Sequence, residues 1–502
     1  MVQRLLQNSN IQLRLSAFIG ALCLILLAGC THSYKQPDVQ VDRLPHISPD
    51  YVGVTLPTTI APVNFMVLEE GEEYQLAVGL EGQHQIICRS TDGKMRLPEV
   101  QWKKLLADAA GKEITFQISV CKADKWEGYK DFSMFISKDP IDGYLAYRLL
   151  YPGYELWNEM GIYQRDLSSF TVEPIVENRE FGKQCVNCHT FKQNDTSHFM
   201  FHVRGRTGGT VINRNGKLEK INSKPNHAAV GGTYSAWHPS GDFIAMSMNE
   251  VQQFFHSQGQ KQIEVTDLRA DMGVYDIENH QMLSAPLLSD STYMETFPHW
   301  SPDGRSLYFC RAKQYQQGMN WGDIRYDLCR VAFSPENRTF GAIECLYAAS
   351  DSLKSVSFPR VSPDGQYVMF TQSDYGNFSI WHPESDLMLM DLHTQVIRKL
   401  DEVNSDQVES FHTWSSTGKW FVFSSKRLDG LWARPFFAHF DPETGKASKP
   451  FVLPQEEPDF YDNYTRTFNL PELITSPIVN QKDLLKVVAS PKKENIELVI
   501  RK

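Results

Sequence analysis

Residues 299–308 read His-Trp-Ser-Pro-Asp-Gly-Arg-Ser-Leu-Tyr, and variants of this stretch occur three more times in the chain. Each copy places an apolar run, a turn of the Ser-Pro-Asp-Gly type and a second apolar run in succession. Proline fixes φ and glycine accepts a positive φ at such a turn, so each copy predicts a β-hairpin. The other copies are residues 236–245, 360–369 and 413–422.

Further strands are predicted after each hairpin, as at residues 388–392 and 396–400. Four strands in a repeating unit predict a β-propeller, because a single four-stranded blade cannot bury its faces alone. Residues 199–221 have the pattern of the outer part of a further blade. The sequence therefore predicts a propeller over residues 197–455 with five blades, or with six if terminal strands complete the ring.

The regions on either side of the repeats complete an all-β prediction. Residues 51–150 alternate apolar and polar positions in short runs, which predicts a β-sandwich-like domain with one short helix at 100–110. Residues 456–502 are predicted to be a C-terminal extension with strands at 484–488 and 496–500. This extension either closes the ring or pairs with the N-terminal domain.

The N-terminus has the features of an export signal. Arg4 and Arg14 precede an apolar stretch at residues 15–27, which is too short to span a membrane and typical of a signal peptide. The Leu-Ala-Gly-Cys sequence ending at Cys30 resembles the bacterial lipobox, which implies removal of residues 1–29 and lipidation of Cys30. The alternative is an ordinary signal peptide with a free Cys30. Residues 30–50 are predicted to be a tether.

The charge balance excludes one class of partner. The chain has 50 Lys and Arg against 60 Asp and Glu, a net charge of −10, and no long basic run. A protein that binds the phosphate backbone through clustered cations is not expected from this pattern. We therefore predict no nucleic-acid partner.

The motif with the most specific chemistry is Cys185-Val-Asn-Cys188-His189. C-x-x-C-H is the attachment motif of c-type haem. Two thiols on one helical turn form thioethers to the haem vinyl groups, and the histidine ligates the iron from the proximal side. Haem attachment takes place outside the bacterial cytoplasm, in agreement with the predicted export. We predict one covalent haem c within a haem-attachment segment at 151–196.

Other readings of the cysteine motif remain open at this stage. They are a structural disulfide, a zinc site using His198 and His202, and a thioredoxin-like redox pair, although the last requires a βαβ setting that the sequence lacks. Tyr and Trp residues in the stretch 151–165 are candidates for the wall of a haem cleft, or simply pack a domain junction.

The sixth position of the haem iron has several candidate ligands. His198, Met200 and His202 alternate in a strand-like run and so point to one face. His299 and His412 lie at the starts of predicted inner strands, where side chains approach the propeller axis. Each of these is more often a hydrogen-bonded structural residue than a ligand. Arg204 and Arg206 are candidates for contacts with haem propionates.

Five other cysteines lie outside this motif and the signal region. Cys88 and Cys121 fall in two strand-like runs, and an exported protein can pair them. Cys310, Cys329 and Cys345 fall within one repeat, so one of the three has no partner among them. The pairing is left open by the sequence.

The Trp-Ser-Pro-Asp-Gly repeats are similar to those of TolB-like propellers. Together with Cys185, Cys188 and His189, they resemble a family of bacterial envelope lipoproteins that join such a propeller to one C-x-x-C-H motif. This combination of a propeller and a haem-attachment motif is weakly similar to the haem-bearing propeller of the hydrazine synthase α subunit, at the level of fold only. The family has no assigned reaction.

Two functions of different classes follow from this resemblance. The first is a monohaem lipoprotein for electron transfer or haem-dependent sensing, which requires a docked protein partner. The second is a non-redox scaffold whose propeller binds envelope proteins. A haem enzyme with an open sixth position is a third option, although no catalytic constellation is identifiable. The residues after Cys30 predict an outer-membrane anchor facing the periplasm.

Overall fold

The computed structural model describes residues 34–83, 85–151, 158–226, 230–258, 261 and 263–501. The predicted signal peptide and Cys30 lie outside these residues. Within them, no helix is long and apolar enough to cross a membrane. The chain folds into an N-terminal β-domain followed by a six-bladed β-propeller, which confirms the predicted fold class.

The N-terminal domain contains a seven-stranded sheet, a three-stranded sheet and one helix packed around a common core. The large sheet contains β1, β3, β5, β6, β8, β9 and β10, and the small sheet contains β2, β4 and β7. Helix α1 spans Glu99–Asp108, close to its predicted position, and buries Trp102 and Leu105. The strands are β1 Val39–Val41, β2 Ile47–Ser48, β3 Thr55–Pro57, β4 Phe65–Val67, β5 Glu73–Gly79, β6 Ile86–Ser90, β7 Lys94–Met95, β8 Glu113–Lys122, β9 Lys125–Tyr129 and β10 Phe132–Ser137.

The propeller is closed by a strand from the C-terminal region. Blade 1 has the order β13-β12-β11-β35, so the C-terminal strand β35 supplies its inner strand. Neighbouring inner strands contact one another all the way around the ring, in the order β35, β14, β18, β22, β26 and β30. This closure confirms the six-bladed alternative. The strands of blade 1 are β11 Tyr144–Leu150, β12 Met160–Asp166, β13 Val172–Glu177 and β35 Thr467–Ile474.

Blades 2 and 3 each gain a fifth, outermost strand from the end of the chain. Blade 2 contains β14 Cys185–Lys192, β15 Asp195–Arg204, β16 Gly209–Arg214, β17 Lys217–Asn222 and β36 Glu494–Asn495. Blade 3 contains β18 Tyr234–Trp237, β19 Phe243–Phe255, β20 Ile263–Asp276, β21 Gln281–Ser284 and β37 Glu497–Ile500.

Blades 4 to 6 follow in chain order. Blade 4 contains β22 Tyr293–Trp300, β23 Ser306–Lys313, β24 Tyr326–Ser334 and β25 Thr339–Tyr347. Blade 5 contains β26 Ser355–Val361, β27 Tyr367–Ser373, β28 Asp386–Asp391 and β29 Ile397–Lys399. Blade 6 contains β30 Glu409–Trp414, β31 Trp420–Ser425, β32 Arg434–Asp441, β33 Lys446–Ala447 and β34 Phe451–Val452. Helices α2 Phe460–Asn463 and α3 Gln481–Ala489 lie in the C-terminal region.

The repeated turn and its tryptophan have distinct structural roles. In blade 4, Gly304 has a φ of 72° and donates its N–H to the Ser301 carbonyl at 2.9 Å, which closes the turn between β22 and β23. The indole of Trp300 donates to the Ala236 carbonyl of the preceding blade at 3.1 Å. Trp414 donates in the same way to the Arg360 carbonyl at 3.0 Å. The repeat therefore forms each hairpin, and in blades 4 and 6 its tryptophan also ties the blade to the preceding one.

The observed boundaries differ from the predicted ones in four places. Residues 144–150, assigned above to the β-sandwich, form β11 of blade 1, and the segment 151–196 forms β12, β13 and β14 rather than a separate unit. Part of the predicted tether is folded, because β1 and β2 pair with β9 and β4. Residues 484–488 are helical rather than extended, with Leu484 and Val488 on the buried face. The predicted strand at 496–500 is confirmed.

Among the cysteines outside the motif, Cys88 and Cys121 are not placed for the disulfide considered first. Cys88 lies opposite Leu76 and Cys121 opposite Glu73, so strand β5 separates them. Two strand spacings amount to about 9.5 Å, more than a disulfide spans. Cys329 and Cys345, in contrast, face each other directly across β24 and β25. Cys310 is fully buried.

Glu69 anchors the start of the N-terminal domain and gives it an acid-sensitive contact. Its carboxylate accepts two hydrogen bonds from Arg43, at 2.6 Å each, and one from the His46 N–H at 2.9 Å. The bonds from Arg43 are the main cause that lowers the pKa of Glu69 from 4.5 to about 2. Because the folded-state pKa lies below the unfolded one, this contribution to stability is present above pH 4.5 and is lost as the pH falls through about 2.

We expect Glu69→Gln to lower the free energy of unfolding by about 2 kcal/mol at pH 7, because charge-assisted hydrogen bonds are lost. The difference from the unsubstituted protein should shrink as the pH falls below 4.5. Urea denaturation between pH 7 and pH 3 measures both effects. Glu70→Gln, at the exposed neighbouring position, is the control and should change little. A difference for Glu69→Gln that is constant with pH would contradict this role.

Candidate functional site

The inner strands share an irregularity that shapes the propeller axis. In five of them, one residue has a positive φ where the strand leaves its regular register, a feature of β-bulges, which re-aim side chains. In each strand, a large apolar residue follows three positions later. The five residues are Cys188, Phe297, Phe358, Phe411 and Leu470, with φ between 47° and 54°.

These residues surround a narrow channel on the axis. The channel has a volume of about 40 Å³ and is lined by all five, together with Tyr234 of blade 3. Three ionisable side chains also line it: His189, Arg360 and Glu472. A volume of this size accommodates water-sized groups rather than a cofactor.

A much larger cavity adjoins the channel. It has a volume of about 1160 Å³, above the range of about 300–1,000 Å³ typical of small-molecule pockets. Cys188, Tyr234, Phe411 and Leu470 line both spaces. Its wall is mainly apolar and aromatic, and includes residues of the long β19–β20 hairpin of blade 3. Tyr151 and Met160, from the predicted cleft stretch, also line it.

Both cysteines of the C-x-x-C-H motif lie in the wall of this cavity, although the motif is not helical. Cys185 to His189 belong to the inner strand β14. Residues three apart in a regular strand point to opposite faces. The bulge at Cys188, with its φ of 47°, breaks this alternation, and Cys185 and Cys188 both face the cavity. The bulge thus does for the two thiols what the predicted helical turn was expected to do.

His189 lies on the channel side of the motif. Its side chain is 2% exposed, and neither ring nitrogen has a hydrogen-bond partner among the described residues. Its Nε2 lies 4.0 Å from Oε1 of Glu472. Burial, with the nearby Arg148, lowers the pKa of His189 to about 3, so the imidazole is neutral at physiological pH. Neutral imidazole is the form that ligates metals.

Two arginines lie beside the thiols. Arg148 donates to the Val186 carbonyl at 3.3 Å, to Asn469 at 2.7 Å and to Asn187. Arg204 is paired in register with Cys185, and both arginines line the cavity. Burial raises the pKa of both thiols, an effect that the arginine charges oppose. The thiols are therefore protonated at neutral pH.

None of the five candidates for a sixth ligand lines the cavity or the channel. Met200 is fully buried in an apolar cluster with Ile212 and Trp237. The histidines are held by hydrogen bonds within or between blades: His198 to Ser197, His202 to Thr210, His299 to the Val361 N–H and His412 to the Met369 carbonyl. Strand alternation predicts a common face for His198, Met200 and His202, but these residues do not line the cavity.

Several cavity residues have no motif that would reveal them in the sequence. Met160 lies in the cavity wall and accepts the Val186 N–H at 3.2 Å through its sulfur. Lys426, Trp381 and Trp432 come from blades 5 and 6. Six channel residues do have a signal, since each lies three positions before an apolar residue of its inner strand: Cys188, Tyr234, Phe297, Phe358, Phe411 and Leu470.

The residues present fit a covalently held haem better than they fit zinc. The described residues contain no group of three or more His, Cys, Asp and Glu side chains that could hold a metal ion. A porphyrin supplies four ligands itself, so the protein needs only an axial group. Cys185 and Cys188 line a large, mainly apolar cavity, and His189, whose ring nitrogens are unpartnered among the described residues, lines the adjoining channel; these three residues are the ones that would hold a haem.

Comparison with known proteins gives no family. The sequence matches no family model and no curated protein. Among solved structures, it is similar to Kuenenia stuttgartiensis hydrazine synthase (14% identity, TM-score 0.32, covering 53% of this chain and 65% of that one). It is also similar to a prolyl endopeptidase (13%, 0.35, 62% and 42%) and to an ancestral GH74 enzyme (11%, 0.33, 77% and 47%). The chain thus spans less than two thirds of the length of each.

Proposed function

We propose that this protein is an envelope lipoprotein that carries one covalent c-type haem in the large cavity of its propeller. In this proposal it serves electron transfer or haem-dependent sensing with a docked protein partner. Cys30 carries the lipid and holds the protein at the outer membrane, facing the periplasm. The observation that carries the proposal is the common exposure of Cys185 and Cys188 to one cavity, which the bulge in β14 produces.

The attachment chemistry requires no oxidant. Each thiol adds across one vinyl group: the sulfur bonds to one carbon and the S–H proton is taken up by the other. His189, which lines the channel, would hold the iron through its imidazole, and its burial keeps that imidazole neutral. When bound, the haem supplies a one-electron redox centre, and the apolar wall of the cavity tunes its potential.

The rim of the cavity supports the docking of a partner. Val251, Phe255 and Leu431 line the cavity, and yet their side chains are substantially exposed, with Phe255 at 61%. Exposed apolar residues grouped around an opening are typical of interaction sites. A partner that covers this rim would approach the cavity, where electrons are to be exchanged.

The test is a pyridine haemochrome spectrum of protein produced together with the cytochrome c maturation machinery. We expect a c-type spectrum that survives acid-acetone extraction, because thioethers resist it. The double variant Cys185→Ala/Cys188→Ala should lose the extraction-resistant haem completely. Cys345→Ala, which alters an exposed cysteine of blade 4, is the matched control and should retain it.

A colourless protein that is folded and still binds envelope proteins would contradict the haem proposal. It would instead support the scaffold function, in which Cys185 and Cys188 are structural.

A further inference from the structure

Lys426 is a buried cation in the cavity wall without an ionic partner. The residue is 7% exposed, follows β31 of blade 6 and lines the cavity. Among the described residues, no carboxylate lies within 4 Å of its Nζ, and Nζ donates no hydrogen bond. The ring of Trp381 lies against it, with its centroid 4.0 Å from Nζ, and the charge of Asp429 favours the ammonium form.

The position of Lys426 relative to the thiols is set by the ring of blades. Cys185 and Cys188 belong to blade 2, and in a six-membered ring blade 5 lies opposite blade 2. Trp381 precedes β28 in blade 5, and Lys426 packs on it from blade 6. Lys426 therefore lies across the propeller axis from the two thiols.

Burying an ammonium group in the cavity wall costs free energy unless a ligand neutralises its charge. Burial lowers the pKa of Lys426 to about 8, which shows the cost of holding the charge there. The aromatic ring compensates in part, since a cation over a ring gains about 0.5–2 kcal/mol. Because Lys426 lines the cavity, an acidic group bound there would satisfy the hydrogen-bond donors of Nζ.

We propose that Lys426 binds the acidic edge of the ligand in this cavity, which for the haem proposed above is a propionate carboxylate. The inference rests on that proposed function. The vinyl and propionate groups lie on opposite sides of the porphyrin ring. A ring held through its vinyl edge by Cys185 and Cys188 would therefore present its propionates on the side away from blade 2, where Lys426 and Trp381 line the cavity. Arg148 and Arg204 also line the cavity, but they lie on the side of the thiols: Arg204 is paired in register with Cys185, and Arg148 donates to Val186 and Asn187.

The test compares two probes on the full-length protein produced without the maturation machinery: haemin, and haemin dimethyl ester, whose propionates are capped. Quenching of tryptophan fluorescence reports binding, since Trp381 and Trp432 line the cavity. We expect Lys426→Met to weaken haemin binding about tenfold and to leave the ester unchanged. Lys426→Arg should restore the preference for haemin, and Lys446→Met, at an exposed site, should change nothing.

Three results would overturn the inference: equal binding of haemin and its ester by the unsubstituted protein, equal weakening of both by Lys426→Met, or no binding of either. The first two leave the proposed function intact if the matured protein carries extraction-resistant haem. In the matured protein, Lys426→Met should retain the full haem content, because the thioethers hold the haem without the lysine.

Discussion

Substitution of His189 by alanine should leave the haem attached but change its iron chemistry. In the proposed attachment, two thioethers at Cys185 and Cys188 hold the porphyrin, so haem content should stay near that of the unsubstituted protein. Loss of the axial imidazole should shift the reduction potential by on the order of 0.1 V or more, since axial ligands set haem potentials over a range of about 0.8 V. Redox titration, followed by the absorption spectrum, measures both the shift and the change of ligation.

His198→Ala is the matched control for this experiment. His198 is also a largely buried histidine of blade 2, but Nδ1 of its ring is hydrogen-bonded to Ser197 at 2.8 Å, and it lines neither the cavity nor the channel. We expect His198→Ala to leave the absorption spectrum and the reduction potential unchanged. If His189→Ala behaved like this control, His189 would not be the axial ligand, although covalent attachment would be unaffected.

Removal of residues 467–502 should abolish cooperative folding. This deletion takes away β35, the inner strand of blade 1, and leaves β11 paired only with β12. It also exposes the faces against which Phe468, Leu473 and Ile474 are buried. Because each blade buries its surface only against its neighbours, an open ring loses two interfaces at once. We expect urea denaturation to show no cooperative transition, and size-exclusion chromatography to show aggregation.

A shorter deletion separates ring closure from the general loss of C-terminal residues. Removal of 492–502 takes only the outermost strands β36 and β37 and leaves the ring closed. It should retain a cooperative transition. Within the intact chain, Leu473→Ala should lower the free energy of unfolding by about 3 kcal/mol. Val479→Ala, at an 82% exposed position, should change it by less than about 0.5 kcal/mol. A cooperative transition in the longer deletion would contradict closure by β35.

The repeats made most of the propeller predictable, because each hairpin requires the same turn residues locally. Gly304 and its counterparts need a positive φ, and Trp300 and Trp414 reach the neighbouring blade. Blade 1 lacks this signature. Its strands β11–β13 and β35 are joined only by folding, since more than 280 residues separate β13 from β35 in the chain. No local sequence pattern predicts the pairing of strands that lie so far apart in the chain.

The residues of the candidate site were predictable from a motif, but their geometry was not. The spacing of Cys185, Cys188 and His189 indicates haem attachment by itself, and a helical turn was the simplest way to bring the thiols together. The structure achieves this with a strand and a bulge, which depend on the neighbouring strands around the axis. No sequence motif identifies Lys426, because the role proposed for it depends on its position across the ring from blade 2.

The most direct measurement is the mass of the tryptic peptide 184–192 from the matured protein. Cleavage after Lys183 and Lys192 places Cys185, Cys188 and His189 in a single peptide. We expect a peptide heavier by one whole haem, with no free thiol left for alkylation. Recovery of this peptide without haem, with both thiols open to alkylation or joined to each other, would contradict it.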